Sequence, residues 1–591
     1  MTAAALSARS YSAYPLIEAP GALPKPWITQ LVSCVVDENV GLPDTAVLTF
    51  RDPDHEFLTA TGITIGTVLR ISVTTASGKA QEVLFEGEVT ALELDADPTG
   101  SFTVVRGFTK AHRLFRGRKV EAFRNMTAAD IVRKVARGAG LSVGRIQAGT
   151  VTYTQLTQAG VSDWEFLRSL AQEHGAIVRV DGKGRIEFSK PEPAATAPPP
   201  GTPSLRNPFV LEYGRNLMSL RASLTSADQV GAVEVRGWDV ATKKALVAVE
   251  PAVTSTTVAP GLPAAKVGAV FGARARMLVA DAPYGTQAET AAAARSLASA
   301  VSAGFGEIEA VVEGNPLLRA GVPVALGNAG PAFSGKYTAS AVRHVLEPGG
   351  GYRTTVMVSA SPDRSLAGLV TGGNAPARSQ KMPGLAIGIV TDIKEVGKAE
   401  RGWVKLRFPW LDDNYVTDWV RTVQLGGHGG GGVFSPEVND EVLVGFEQGS
   451  LDRPYVLGGL YNGVDSPSPH DVPLVDRRSG RVNRRSLVSR KGNRIELLDG
   501  TTASGVRIAS GDKRLAIHID ETTGTIEVTV RARGGGRVLS AVTLTDRGIT
   551  LDAKRGDLTL KGRSVSVEGT ASVSVDGGAQ AVLKGRIVRI N

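Results

Sequence analysis

The clearest candidate for chemistry is GPAFSGKYT at residues 330–338, which matches the GxxxxGK spacing of a phosphate-binding loop. In such a loop, backbone N–H groups cradle the phosphates, and a Ser or Thr after the lysine supplies a hydroxyl for Mg²⁺. Tyr337 occupies that position here, and the following YTASAVRHVLE alternates like a strand and does not open a helix. The stretch therefore predicts a hairpin turn and not a nucleotide site.

Metal and nucleophile patterns are also missing. The histidines are scattered without HxH or HExxH spacing, and Cys34 is the only cysteine, which excludes an intrachain disulfide. The glycine-rich GGHGGGG (426–432) has no lysine or helix after it, which predicts a mobile loop. A Ser/His/Asp triad stays open because its members need only meet in space, but no GxSxG elbow is present. We predict no catalytic residue, no cofactor and no metal.

The charge is unevenly distributed. The net charge is +9, and residues 477–591 hold 22 Lys and Arg against 11 Asp and Glu. A basic tail can indicate nucleic-acid binding, but these residues include no Phe, Trp or Tyr on which bases could stack. The tail therefore predicts a solvated basic surface on a β structure, and nucleic acid is not an expected partner.

Size and composition indicate several β-rich domains. The chain has 591 residues, 69 of them glycine, with only 5% aromatic residues. The N-terminal MTAAALSARSYSAYPLIEAPG lacks the apolar run of a signal peptide, and no run is long enough for a membrane helix. We expect cytoplasmic assembly, or release by a route that ignores signal peptides.

The chain divides into alternating segments and linkers. Residues 1–115 read as a first small barrel, and 116–190 as a small α/β region whose two helices open with capping boxes at Thr127/Asp130 and Ser162/Glu165. A linker at 191–208 leads to a second β domain at 209–370, interrupted by an alanine-rich helix at 287–303. Further linkers at 371–384 and 464–490 flank a compact β segment at 385–463, and 491–591 alternates to its end.

The segment at 385–463 reads as a five-stranded OB-fold. Its strands include WVKLRF, DWVRTV, EVLVGFE and PYVLGGLY, with a turn at Asn439-Asp440. The aromatic residues fall where a core is expected, so we predict a core and not a base-stacking surface. The predicted core residues are Trp403, Phe408, Trp410, Trp419 and Phe446.

Three segments in one order resemble a known family. RGWVKLRFPWLDDNYVTDWVRTVQLGG (401–427) with FSPEVNDEVLVGFEQGSLDRPYVLGGLYNG (434–463) resembles the spike OB-fold of contractile injection systems. FEGEVTALEL, VRGFTKAHRLFRG and VSDWEFLRSLAQEHG resemble the phage late control protein D hub, residues 314–356 its second barrel, and KGNRIELLDG (491–500) the start of a β-prism. The order of hub, OB-fold and prism resembles that of VgrG spikes.

This resemblance implies a mainly β homotrimer in which two hub barrels per chain, with the small α/β insertion, form a ring on the inner tube and the tail forms a needle. It implies as partners an inner-tube protein, baseplate proteins, a separate PAAR-like tip protein and effector cargo, with transient contact to a target membrane. The particle would be extracellular, membrane-docked or cytoplasmic. Residues 464–490 are too few for the lysozyme that some relatives carry, and no HxH at the tip could hold iron.

In such a needle, alternate apolar residues point to the threefold axis and glycines turn the corners of the prism. The predicted axis residues are Leu558, Leu560, Val565, Val567, Val573 and Val575, and the predicted corners are Gly556, Gly562, Gly569, Gly577 and Gly585. Two rival functions remain: a trimeric tailspike or adhesin that binds surface glycans, and a cell-wall hydrolase with its site in the hub. The aromatic-free tail argues against the first, and neither explains the order of segments.

Overall fold

Strands dominate the chain, as its alternating sequence predicts, and the mainly β fold class is confirmed. The structure is a computed structural model that describes residues 10–76, 80–181, 183–226, 229–254, 257–258, 261, 275–280, 282–359, 382, 384–397 and 400–590. The predicted linker at 371–384 lies outside the described residues except for 382 and 384, and so does Asn591. Contacts divide the chain into two units, Met1–Leu460 and Tyr461–Asn591.

The first unit begins with an antiparallel β domain whose apolar positions alternate inward, so that Val36, Leu48 and Phe50 are fully buried. Two short helices, α1 (Lys25–Thr29) and α2 (Phe57–Thr61), interrupt the strands. The strands are β1 (Leu16–Glu18), β2 (Leu31–Asn39), β3 (Thr45–Arg51), β4 (Val68–Thr74), β5 (Gln81–Asp97) and β6 (Gly100–Phe108).

The α/β region follows a 3-10 turn at Lys110–Phe115 and confirms both predicted helix starts. The backbone N–H of Asp130 donates to Oγ1 of Thr127 over 3.3 Å, and that of Glu165 to Oγ of Ser162 over 3.2 Å. The strands are β7 (Lys119–Thr127), β8 (Ser142–Ile146), β9 (Thr152–Val161), β10 (Ile177–Val180) and β11 (Arg185–Ser189), and the helices are α3 (Ala128–Gly138) and α4 (Asp163–Glu173).

The second β domain contains the predicted alanine-rich helix with the predicted bounds. Its helices are α5 (Gln287–Ala303) and α6 (Gly330–Phe333). A 3-10 turn at Ala194–Thr196 precedes the domain. Its strands are β12 (Val210–Glu212), β13 (Leu217–Leu224), β14 (Ala232–Asp239), β15 (Lys244–Pro251), β16 (Thr257–Val258), β17 (Arg276–Val279), β18 (Gly306–Glu313), β19 (Pro323–Gly327), β20 (Gly335–Thr338), β21 (Ala341–Glu347) and β22 (Gly351–Val358). GPAFSGKYT joins β19 to the antiparallel β20, which confirms a hairpin connection there.

The two β domains share one sheet, although the sequence predicts two separate barrels. The ten strands lie in the order β1-β4-β5-β6-β3-β2-β21-β22-β18-β13. The join is the antiparallel pair of β2 and β21, from Cys34 opposite Leu346 to Asn39 opposite Ala341. Because each edge satisfies the other's backbone groups, the pairing removes an exposed edge from both domains.

A buried ion pair also connects the two domains. Arg319, in the loop before β19, donates from Nη1 to the carboxylate of Glu38 on β2 and to the carbonyl oxygen of Leu84 on β5. The backbone N–H of Ala320 donates to the other oxygen of Glu38 over 3.2 Å. Glu38 is only 7% exposed, so its charge depends on these donors.

Cys34 provides a reporter of this shared sheet. Its side chain is fully buried, and burial raises the pKa of the thiol to about 12. Because the thiolate is the reactive form, we expect no modification by a thiol reagent at pH 8 in the native protein, and reaction only when the sheet opens. Labelling across a denaturant series should follow unfolding of the ten-stranded sheet. Rapid labelling without denaturant would contradict the burial of this strand.

The OB-fold forms a closed five-stranded barrel in the first unit. Its strands are β23 (Leu385–Asp392), β24 (Lys405–Arg407), β25 (Arg421–Thr422), β26 (Glu441–Phe446) and β27 (Pro454–Gly459), in the order β24-β23-β26-β27-β25. A bridge between Val404 and Val420 joins the two edge strands. The predicted turn before β26 is confirmed, since Asn439 has a left-handed φ of 77°.

The predicted aromatic core of the OB-fold is partly wrong. Phe408 is fully buried and Phe446 packs against it, with ring centroids 5.8 Å apart. Trp410 is 47% exposed and donates its indole N–H to the carbonyl oxygen of Ile387. Trp403 lies under the guanidinium of Arg401 and Trp419 under the ammonium of Lys405. Both are partly buried and, like Trp410, lie outside the buried core cluster. The remaining core is mainly aliphatic, formed by Val390, Val404, Leu406, Tyr415, Val420, Val442, Val444, Leu451 and Val456.

The antiparallel pair of β7 and β9 ties the α/β region to the OB-fold. Ala159 on β9 belongs to the same buried cluster as the OB-fold core. Thr157 donates its hydroxyl to Asp452, and Gln155 donates its amide to Oη of Tyr415 over 3.1 Å. Shared core and polar contacts together hold the OB-fold against the hub.

The second unit contains a seven-stranded antiparallel sheet in sequence order. The strands are β28 (Arg484–Val488), β29 (Arg494–Asp499), β30 (Ser504–Ala509), β31 (Leu515–Asp520), β32 (Thr525–Arg531), β33 (Val538–Thr545) and β34 (Gly548–Asp552). The sheet begins at Arg484, inside the predicted linker at 464–490. Consecutive strands are neighbours in the sheet and run antiparallel, so a short turn is enough for every connection.

Candidate assembly interface

One face of the seven-stranded sheet is aliphatic from edge to edge. The pairing registers align two rows of side chains across all strands, which we call the apolar face. The first row is Leu487, Ile495, Ile508, Ile517, Val528, Val542 and Leu551. The second row starts at Arg485 and continues through Leu497, Val506, Ile519, Ile526, Leu544 and Ile549. Residues two apart on a strand share a face, so both rows lie on the same side.

The apolar face is open in the single chain. Ile517 in the centre is 42% exposed, and Ile549 at the edge is 71% exposed. Covering an aliphatic side chain of this size is worth roughly 1.5–3 kcal/mol, so the two rows represent a large unrealised stabilisation. An uncovered apolar surface of this extent marks an interaction site.

The opposite face is polar and carries a buried ion cluster. Nδ1 of His470 lies 2.5 Å from Oε1 of Glu496, and Nε of Arg507 donates to Oε2 over 2.6 Å. Burial acts to raise the pKa of Glu496, but the hydrogen bonds and charges of Arg507 and His470 outweigh it and leave the pKa below its ordinary value. The cluster fastens the segment around His470 to the sheet.

Replacing Glu496 with Gln should detach that segment. The change leaves the cations of Arg507 and Arg494 without their carboxylate, at a cost of about 3 kcal/mol. Since the folded-state pKa of Glu496 is lowered, its contribution is present above the ordinary value of 4.5 and is lost as the pH falls through the folded-state pKa. Thermal unfolding between pH 3 and 7 should show a weaker pH dependence for Glu496→Gln than for the wild type. Identical profiles would contradict this role.

The predicted axis residues lie beyond the sheet and are exposed. Residues 553–590 form no strand within the chain. The structure therefore leaves more than half of each of the six side chains exposed. Their exposed fractions range from 54% to 82% for Leu558, Leu560, Val565, Val567, Val573 and Val575.

At the predicted corner glycines, the backbone folds back on itself. A Cβ at Gly569 would come 2.4 Å from the carbonyl oxygen of Ser572, and one at Gly577 would come 2.7 Å from that of Gln580. Any other residue would force these turns open. At Gly556, Gly562 and Gly585 the nearest carbonyl oxygens are 3.1–3.4 Å away, a milder constraint.

Sequence reasoning placed the apolar contacts in the tail and missed the apolar face. The signal was present, because LAIHID, TIEVTV and AVTLTD alternate with a period of two. Alternation does not reveal register, however, and only the pairing shows that the aliphatic residues of seven strands align.

The described residues offer no sign of a chemical site. They contain no group of three or more His, Cys, Asp or Glu side chains that could hold a metal ion. No helix in the described part is long and apolar enough to cross a membrane. What the structure offers is an assembly surface.

Comparison with known proteins identifies two regions. Residues 28–347, more than half of the chain, match the Alg8 N-terminal domain. Residues 386–461 match the type VI secretion system and phage-baseplate injector OB domain, which confirms the predicted OB-fold.

Curated relatives include spike proteins of Pseudomonas aeruginosa. The type VI secretion system spike protein VgrG2a is 26% identical over 149 residues, which is 24% of this chain and 17% of that protein. VgrG5 is 36% identical over 107 residues, 15% of this chain and 13% of that protein. The chain thus matches less than a fifth of the length of either relative.

Among solved structures, one chain of the lidded Francisella PdpA-VgrG complex has a similar fold. The alignment covers 91% of this chain and 79% of that chain, with a TM-score of 0.50 and 10% sequence identity. At this identity the likeness concerns the fold alone. It extends, however, over most of both chains.

Proposed function

The chain belongs to the Alg8 N-terminal domain family, and we propose that it is a VgrG-like spike protein, the central spike and hub of a phage-tail-like contractile injection system. It would join the inner tube and baseplate to a membrane-piercing needle formed by three copies. The observation that carries this proposal is the open apolar face of the seven-stranded sheet.

Three copies supply what a single chain lacks. Three sheets that turn their apolar faces toward a common axis bury both rows, and the strandless 553–590 segments can pair between chains. Folding of the needle then depends on association, so its stability is inseparable from the trimer. Such a needle resists buckling without disulfides inside a chain, which one cysteine per chain cannot form.

The hub is suited to a rigid base. The ten-stranded sheet, the buried pair of Arg319 and Glu38, and the shared core with the OB-fold hold the first unit together. We propose the inner-tube protein and the baseplate as the partners of this unit, and a PAAR-like tip protein and effector cargo as partners at the needle. Contact with the target membrane would be transient, and the excess of cations in 477–591 would favour an anionic surface.

Three measurements separate this function from its rivals. Negative-stain images of the purified full chain should show a wide base with a tapering rod, and a globular particle would contradict the proposal. A cell-wall gel assay should show no clearing, whereas clearing would support the hydrolase. Glycan binding by the needle would support the tailspike alternative.

A further inference from the structure

The turns of the seven-stranded sheet are sorted by charge. In an antiparallel sheet in sequence order, every second turn lies at the same end of the strands. The turns at one end are residues 489–493, 510–514 and 532–537, followed by 553–556 after the last strand. The turns at the other end are residues 500–503, 521–524 and 546–547.

The first end is strongly cationic. Its turns hold eight Lys and Arg residues and one acid, Asp512. We call this set the cationic row: Arg490, Lys491, Lys513, Arg514, Arg533, Arg537, Lys554 and Arg555. All eight are exposed. The carboxylate of Asp512 accepts hydrogen bonds from Oγ of Ser510 and the backbone N–H of Arg514, so it stabilises the turn in which it lies. Asp552, the last residue of β34, also lies at this end and pairs with Lys554 over 2.5 Å.

The second end carries acids. We call Asp499, Asp520, Glu521 and Asp546 the acidic row: Glu521 and Asp546 lie in the turns, and Asp499 and Asp520 are the last residues of β29 and β31. The only cation in the turns at this end is Arg547. Asp499 pairs with Arg485 of its own chain over 2.5 Å. Glu521 and Asp546 are exposed and make no ion pair with the described residues.

The cationic row is built at a cost to the backbone. Lys513 and Lys554 have left-handed φ angles of 60° and 49°, a conformation that favours Gly, Asn or Asp. The turns also pack against one another: a Cβ at Gly535 would lie 3.1 Å from Cβ of Lys513. The backbone N–H of Arg531 donates to the carbonyl oxygen of Arg514 over 2.7 Å. The cations are therefore held along one continuous edge.

We propose that the cationic row of each copy lies against the acidic row of the next copy and closes the trimer electrostatically. This inference rests on the proposed trimer. In the proposed trimer the strands lie across the threefold axis with the apolar face inward. Each contact between identical copies is then head to tail, so one strand end of a copy meets the opposite strand end of its neighbour. The order of turns along the sheet alternates between its two ends. The turn with Lys513 and Arg514 comes after β30, so along the sheet it lies between the turn after Asp499 and the turn that contains Glu521.

Charge then specifies how the sheets close. An open apolar face accepts any apolar surface, but a copy turned end for end would place cations against cations, which is unfavourable. The apolar face supplies the stability of the trimer, and the two rows supply its orientation.

The test reverses each row separately and then both together. Arg514→Glu/Arg533→Glu and Glu521→Lys/Asp546→Lys should each weaken the trimer about tenfold or more at low salt, because like charges then meet. The fourfold variant should recover most of that loss. Arg477→Glu/Arg478→Glu, which makes the same charge change at exposed residues before the sheet, should leave the trimer unchanged. Sedimentation across a dilution series measures all four, and added salt should shrink the differences.

The outcomes separate the possible failures. A wild-type monomer would overturn the proposed function itself. A trimeric wild type whose row variants dissociate like the control would overturn only the pairing of the rows. Cosedimentation with phosphatidylglycerol vesicles adds a third arm: reversal that abolishes vesicle binding but spares the trimer would assign the cationic row to a membrane surface and overturn the proposal.

Discussion

Replacing Ile517 with Asp is expected to convert the three-chain particle into monomers. Ile517 lies in the middle strand of the sheet, between Ile508 and Val528 in the first apolar row. In the proposed trimer, three carboxylates would be buried together in an apolar interior, at a cost of several kcal/mol for each copy. Sedimentation should show loss of the trimer together with unfolding of the needle.

Two matched variants give this result its meaning. Ile517→Val keeps an aliphatic side chain and should retain the trimer with a loss of about 1 kcal/mol per copy. Thr550→Asp introduces the same carboxylate on the polar face of the sheet, where Thr550 is exposed, and should retain the trimer. A trimeric Ile517→Asp variant would show that the apolar face is not the interface.

The second large effect is expected at the hub. Replacing Arg319 with Ala should destabilise the first unit by about 3–5 kcal/mol, because it leaves the buried carboxylate of Glu38 without its cation. Burial and the neighbouring charge of Glu38 already raise the pKa of Asp44 well above its ordinary value, and Arg319 acts in the opposite direction. Denaturant unfolding monitored by Cys34 labelling should show the loss.

The chain offers a control on the same pair of strands. Arg343 on β21 pairs with Asp37 on β2 over 2.6 Å, but both side chains are largely exposed. Arg343→Ala should therefore cost less than about 1 kcal/mol. The double variant Glu38→Leu/Arg319→Met should recover much of the stability, since it removes both charges. Equal costs for Arg319→Ala and Arg343→Ala would contradict the role of the buried pair.

Local patterns in the sequence predicted much of the fold. The Ser162/Glu165 and Thr127/Asp130 spacings gave helix starts that the hydrogen bonds confirm, because a capping box is a contact between residues three apart. The period of two gave the strands for the same reason: it depends on neighbours along the chain.

Contacts distant in sequence could not be predicted in this way. The pair of Glu38 and Arg319 spans two domains that the sequence shows as separate, and no local pattern indicates that β2 lies beside β21. The apolar face was hidden likewise, since it depends on the register of six strand pairs.

The tryptophans of the OB-fold show a different limit. A large aromatic side chain in a strand is compatible with a core or with a surface where a cation covers its ring. The rings of Trp403 and Trp419 are covered by the cations of Arg401 and Lys405. The interior of the small barrel is filled mainly by aliphatic side chains around Phe408. Residue type alone does not distinguish these cases.

The central claim is that the needle folds as three chains, and the mass of the purified full-length protein in solution tests it most directly. Sedimentation equilibrium or mass photometry at micromolar concentration should give three times the chain mass of 61.8 kDa. A stable, folded particle with the mass of one chain would contradict the account, because the apolar face and the tail would then remain open to water.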